Sequence, residues 1–162
     1  MKYLKGIFFL LLMAMASGCS GENEGAVLRE FFSDRTLALT PDNPDINFRL
    51  DDGENLVFRY SLIYPENPDI SDDEISDVFW FEIPAGASSF SYNLSQDNTP
   101  ATLFFQRVCF CGQVEYTFNS VNITATRLNA VEWQVEFDME AQDNFNTVYP
   151  LRDVGIYELR SN

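Results

Sequence analysis

Three features of the sequence have residue types and spacing that could do chemistry. Cys109 and Cys111 flank Phe110 and precede Gly112, so two thiols stand two positions apart. The segment from Pro65 to Asp77 is rich in carboxylates. The 162 residues include no histidine, which removes the usual imidazole partner of a serine or cysteine nucleophile. The chemistry left open is thiol pairing, cation binding and acid–base catalysis by carboxylates.

The two neighbouring cysteines have three interpretations. In an oxidising compartment Cys109 and Cys111 can form a disulfide. Extended backbone places such Cα atoms near the limit of about 7 Å for a disulfide, so a local bend is required, which Gly112 would permit. Two unpaired buried thiols and a redox or soft-metal site are the alternatives. We favour the disulfide, and zinc is disfavoured because it usually takes four ligands.

The acidic segment is a candidate calcium site, because Ca²⁺ prefers oxygen ligands from carboxylates. The candidate ligands are Asp69, Asp72, Asp73, Glu74 and Asp77. The segment lacks the ligand spacing and central glycine of an EF-hand, so a solvated acidic loop is the favoured interpretation. Among 25 acidic residues some carboxylates will stand at glycosidase spacing by chance. We therefore expect no enzyme and no cofactor, with a calcium ion at this segment as the alternative.

The charge of the chain is strongly negative. It carries 10 basic and 25 acidic residues, a net charge of −15, and its only lysines are Lys2 and Lys5. Proteins that bind nucleic acid present basic surfaces that neutralise phosphates. We therefore expect no nucleic-acid partner.

The first residues have the layout of a secretory signal. Lys2 and Lys5 precede an apolar run of ten residues from Ile7 to Ala16. A transmembrane helix needs roughly 20 apolar residues, so a permanent span is disfavoured. The sequence predicts that this segment is cleaved off during export.

Ala16-Ser17-Gly18-Cys19 resembles the lipobox of bacterial lipoprotein precursors, with Ala16 where a branched aliphatic residue is usual. The resemblance implies cleavage before Cys19, a thioether-linked diacylglycerol on its thiol and, in bacteria with two membranes, a further acyl chain such as palmitate on its amino group. Two or more acyl chains would anchor the chain stably to a membrane. The acidic residues Glu22 and Glu24 partly resemble the export signal of Bacteroidota lipoproteins. This implies a cell-envelope location, with the outer membrane favoured and the domain periplasmic or surface-exposed.

Apolar and polar residues alternate with a period of two from about Val27 onward, which indicates β-strands. The clearest strand runs from Val131 to Met139 and places Trp133 in the core. Residues 46–50 and 56–64 read as a hairpin around the turn-forming residues 51–55. The other predicted strands are 28–32, 37–39, 78–83, 90–94, 102–110, 114–118, 121–127 and 154–159. All seven prolines lie between them, and Trp80 falls on the more open face of its strand.

We expect a signal peptide over 1–18, a lipidated cysteine and flexible tether over 19–26, and one all-β domain over 27–162. The favoured fold is an antiparallel immunoglobulin-like β-sandwich, and the alternative is a lipocalin-like up-and-down β-barrel. The expected function is a non-catalytic binding or structural module with an envelope protein or glycan as partner. The alternatives are a small-ligand carrier barrel and a carboxylate or Ca²⁺-dependent enzyme acting on glycans.

Overall fold

A computed structural model of the chain describes residues 25–39, 48–65, 75–97, 101–109 and 114–160. These residues form eight strands and no helix, which confirms the expected all-β fold. The strands are β1 (Ala26–Leu39), β2 (Phe48–Ile63), β3 (Ser76–Ile83), β4 (Ser89–Asn93), β5 (Leu103–Val108), β6 (Tyr116–Arg127), β7 (Glu132–Asp143) and β8 (Val148–Leu159).

All eight strands belong to one sheet in the order β4-β6-β7-β8-β1-β2-β3-β5. The neighbouring pairs are antiparallel except for β1 and β8, which pair in parallel only at Glu30 with Glu158 and Phe31 with Leu159. The sheet is therefore mixed, with one short parallel junction between two antiparallel halves. Its order also differs from an up-and-down barrel, in which sequential strands are neighbours.

The two halves of the sheet face each other and enclose the core. Phe58 of β2 lies edge-on to Trp133 of β7 with ring centroids 5.5 Å apart, and Phe79 of β3 lies 5.1 Å from Phe137 of β7. Because β2 and β3 are not sheet neighbours of β7, these contacts join two layers. Trp133 is buried as predicted, and each such ring pair adds about 0.5–1.5 kcal/mol beyond area burial.

Residues 51–55 do not form the predicted hairpin loop. Strand β2 continues through them and pairs with β1, and Arg35 pairs with both Asp52 and Asn55. Gly53 lies between these two partners, and Asp34 on the facing strand has a positive φ of 56°. The prediction was wrong because the residues that favour a tight turn also favour a β-bulge.

Beyond the bulge, the paired segments 36–39 of β1 and 48–51 of β2 form an arm that lies on the outer face of β3. Phe48 packs 5.1 Å from the Trp80 ring and 4.1 Å from the Phe104 ring. Glu82 accepts hydrogen bonds from Thr36 Oγ1 at 2.7 Å and from the Leu37 amide. The arm leaves Trp80 only 8 % exposed, so its predicted openness was wrong.

Three further predictions of strand limits need correction. The predicted strands 28–32 and 37–39 form the single strand β1. Strand β6 joins the predicted strands 114–118 and 121–127, because an irregularity between Phe118 and Ser120 absorbs the break in alternation. Pro150 lies inside β8 and not between strands. Proline has no backbone N–H to donate, so it is tolerated where one edge of a strand is unpaired. Near Pro150 the edge of β8 that faces β1 is such an edge, because β8 pairs with β1 only at residues 158 and 159 among the described residues.

Candidate functional site

An open cleft of about 350 Å³ lies on the outer face where β4, β6 and β7 run side by side. Alternation along each strand sends every second side chain outward, and the register aligns the outward ones into two rows. One row is Ser91, Thr124 and Glu136. The second row is Asn93, Asn122 and Asp138. Within the cleft each row ends on a carboxylate at β7, and β8 continues the rows with Val154 beside Glu136 and Arg152 beside Asp138.

Hydrogen bonds fix the amide end of the cleft. The side-chain nitrogen Nδ2 of Asn93 donates to the side-chain oxygen Oδ1 of Asn122. The side-chain oxygen of Asn93 accepts hydrogen bonds from the Ser95 backbone N at 3.0 Å and from the Ser95 Oγ at 2.7 Å. The turn that follows β4 is held in this way, and it brings Gln96 to the rim. These side chains are oriented before any ligand arrives, which lowers the entropy lost on binding.

The carboxylates of Glu136 and Asp138 are exposed, and no ion pair engages either one among the described residues. Glu136 and Asp138 are two positions apart on β7, so their Cα atoms are separated by roughly 7 Å. Together with the hydroxyl and amide groups, they offer several hydrogen-bond acceptors and donors but no cation in the lining. The lining favours a neutral or cationic polar ligand over an anion, and the nearest cation in the register is Arg152, which pairs with Asp138 from β8.

Asp77, the one predicted calcium ligand within the described residues, is occupied by the protein itself. It is 2 % exposed, and its oxygens accept from Arg107 Nε at 2.6 Å and Nη2 at 2.7 Å. Tyr64 donates a further bond to Asp77 at 2.7 Å, and the Arg107 guanidinium lies 4.5 Å from the Tyr149 ring centroid. The hydrogen bonds to Asp77 raise the pKa of Arg107. This carboxylate forms a partly buried ion pair with Arg107.

A second, partly buried ion pair joins β1 to β8 where the two strands diverge. Arg29 Nε and Nη2 donate to the Asp153 carboxylate at 2.8 and 2.6 Å, and the Tyr157 hydroxyl lies 3.3 Å from it. The hydrogen bonds to Asp153 raise the pKa of Arg29, and burial raises that of Tyr157. Gly155 makes room, because a side chain there would overlap the Arg29 guanidinium group.

The remaining predicted site residues lie largely outside the described residues. Cys19, Asp69, Asp72, Asp73, Glu74 and Cys111 are all outside them. Cys109 is disulfide-bonded, and its pairing with Cys111 stays a prediction. In the described part of the chain no three His, Cys, Asp or Glu side chains form a group that could hold a metal ion.

Neither the cleft nor the two ion pairs was predicted from the sequence. Arg29 and Arg107 occupy inward positions of alternating strands, and a charged residue at such a position signals a buried partner. The cleft joins residues that are more than forty positions apart, so a single strand gives no sign of it.

Comparison with family models, with curated proteins and with solved structures found no match. Across the described residues, no helix has the length and apolar character needed to cross a membrane.

Proposed function

We propose that the protein is a lipoprotein of the bacterial cell envelope, anchored at the outer membrane through lipidated Cys19, whose all-β domain binds a polar partner. The cleft on β4, β6 and β7 carries the binding role. In it, fixed amides, hydroxyls and two exposed carboxylates meet in one concave, outward-facing surface. The anchoring role rests on the lipobox-like residues Ala16 to Cys19.

The lining of the cleft favours a hydroxyl-rich ligand such as a glycan. Asn93 and Asn122 supply amide groups, and Thr124 supplies a hydroxyl that can both donate and accept. Glu136 and Asp138 accept hydrogen bonds strongly because they are charged. A neutral sugar presents both donors and acceptors, whereas a phosphorylated ligand would meet two negative charges.

The anchor is tested by labelling cells that express the full chain with radioactive palmitate, beside the variant Cys19→Ala. We expect incorporation into the parent chain only. Protease added to intact cells then reports whether the domain lies outside the outer membrane. Equal incorporation into both chains, or into neither, would contradict the proposed anchor.

The cleft is tested by calorimetry against a panel of neutral and amino-sugar oligosaccharides. Thr124→Arg places a long side chain in the cleft, while Thr126→Arg makes the same change on the same face of β6 outside it. We expect binding to be lost only with Thr124→Arg. Equal affinity of the two variants for a bound sugar would show that the sugar binds elsewhere.

The two rival functions, a small-ligand carrier and a carboxylate enzyme, make different demands on the structure and on the bound sugar. A small-ligand carrier needs an apolar cavity, and rings from both layers, such as Phe58 and Trp133, fill the interior between β2 and β7. A carboxylate enzyme would use Glu136 and Asp138 as acid and base and would release new reducing ends from an oligosaccharide. Binding without release supports the binding module.

A further inference from the structure

Phe145 is unusually exposed for a large apolar side chain. It is 73 % exposed at the turn between β7 and β8, whereas the other exposed large apolar residues of the described chain reach at most 57 %. Its neighbours Asn144, Asn146 and Thr147 carry no charge. A polar residue would serve at this position equally well, because only Asn146 in the turn has a positive φ, of 67°. The fold therefore does not explain the phenyl ring.

The turn that presents Phe145 is well ordered by hydrogen bonds. The Asp143 carboxylate accepts from the backbone N of Phe145 at 2.9 Å, from that of Thr147 at 2.7 Å, and from the Tyr149 hydroxyl at 2.9 Å. Backbone bonds between Asp143 and Thr147 and between Asn146 and Asp143 close the turn. The ring is thus held out from the domain on a fixed support.

The turn lies at the end of the domain where the chain enters from Cys19, which we name the tether end. Ala26 pairs with Ile63, Ile63 with Ser76, and Ser76 with Val108, so these residues form one row across β1, β2, β3 and β5. Arg107, next to Val108, stacks on Tyr149, and Tyr149 bonds to Asp143 at the base of the turn. Ile63, Val108 and Val148 are also exposed at this end.

The distance from Cys19 limits how far this end can stand from a membrane. Seven residues lead from Cys19 to Ala26, and seven extended residues reach at most about 25 Å. The turn at Leu128 lies at the other end of β7, and the length of that strand places it roughly 36 Å farther from the tether end. An anchor at Cys19 therefore keeps the tether end, and not the far end, within reach of the bilayer.

We propose that Phe145 inserts into the interface of the bilayer that holds Cys19, with Val108 and Val148 beside it. This inference rests on the proposed lipid anchor. An exposed aromatic ring gains free energy by leaving water for the headgroup boundary. The tether makes the contact intramolecular, so even a weak contact is populated. Docking in this way would hold the domain in one orientation on the membrane.

The test uses the full lipidated chain in zwitterionic phosphatidylcholine vesicles with brominated acyl chains, which quench tryptophan at the acyl boundary. Zwitterionic lipid avoids repulsion of the lipidated chain, which without Lys2 and Lys5 keeps 8 basic and 25 acidic residues. Phe145→Trp places the probe at the tether end. Leu128→Trp is the matched control, because Leu128 is 50 % exposed in a turn at the far end. Trp80 and Trp133 are buried and contribute the same background to both variants.

We expect the added emission of Phe145→Trp to fall about twofold on brominated vesicles, because interfacial side chains lie roughly 5–10 Å into the headgroup boundary. Leu128→Trp should be unchanged. If both variants float with the vesicles and neither is quenched, the docking proposal is overturned while the lipid anchor stands. If the chain neither incorporates palmitate nor floats, the anchor is wrong and the docking proposal falls with it.

Discussion

Replacing Asp77 by asparagine should destabilise the domain far more than a matched change on the surface. The change keeps the shape of the side chain but removes its charge, and it turns one acceptor of the Arg107 bonds into a donor. Two charge-assisted bonds, of 2.6 and 2.7 Å, are lost or weakened. Bonds of this kind contribute about 1.5–3 kcal/mol each. The Arg107 side chain is 26 % exposed and can be partly solvated after the change. We therefore expect the free energy of unfolding to fall by about 2–4 kcal/mol.

The control is Asp52→Asn, because Asp52 pairs with Arg35 while its own side chain is 95 % exposed. An exposed pair contributes at most about 1 kcal/mol. Urea unfolding followed by tryptophan fluorescence measures the free energy of unfolding of each variant. Equal values for the two variants would refute the buried ion pair as a stabilising contact. Adding Arg107→Met to Asp77→Asn should recover part of the loss, because it removes the cation left without a partner.

Three further predictions concern the other polar contacts. Burial opposes the charge of Asp143, but hydrogen bonds from Thr147, Tyr149 and Phe145 outweigh burial and lower the pKa of Asp143 below 3.8. The stability that the charged carboxylate contributes is therefore complete above pH 3.8 and is lost as the pH falls below that value. Asp143→Asn should flatten the acid limb of the stability–pH curve. Burial raises the pKa of Tyr157 above 10.0, so its contribution is present below pH 10 and is lost above it, and absorbance at alkaline pH should show that it ionises with unfolding. Gly155→Ala should cost about 1–3 kcal/mol in urea unfolding through overlap with the Arg29 side chain, and an unchanged midpoint would contradict that overlap.

The strands that could be predicted are those in which alternation alone decides burial. From Trp133 to Met139 each apolar residue points inward and each polar one outward, and the structure keeps that pattern. The prediction failed at Gly53, where turn-forming residues make a bulge in a continuous strand. It failed again at Trp80, because the arm that covers it is defined by pairing between β1 and β2. Local pattern gives the face of a side chain, but not what lies on that face.

The candidate site could be predicted only in part, for the same reason. Alternation places Glu136 and Asp138 in water, which the structure bears out. Their alignment with Thr124 and Asn122 depends on the register of β6 against β7. Register is set by the whole length of a hairpin and its irregularities, including the shift after Phe118. The cleft therefore becomes visible only once the strands are aligned.

The two outer faces of the folded sheet differ in how they are covered, and the difference supports the proposal that a ligand binds in the cleft. On the half formed by β1, β2, β3 and β5, the arm buries Phe32 and Trp80, and Arg59 lies 5.3 Å from the Trp80 ring. That face is closed by the chain itself. On the half formed by β4, β6, β7 and β8, the outward residues of the cleft are polar, Val154 and Ile156 of β8 are exposed, and no arm covers this face in the described residues. A polar ligand on this face would displace water and not a packed part of the protein, so its binding would cost no unfolding of the domain.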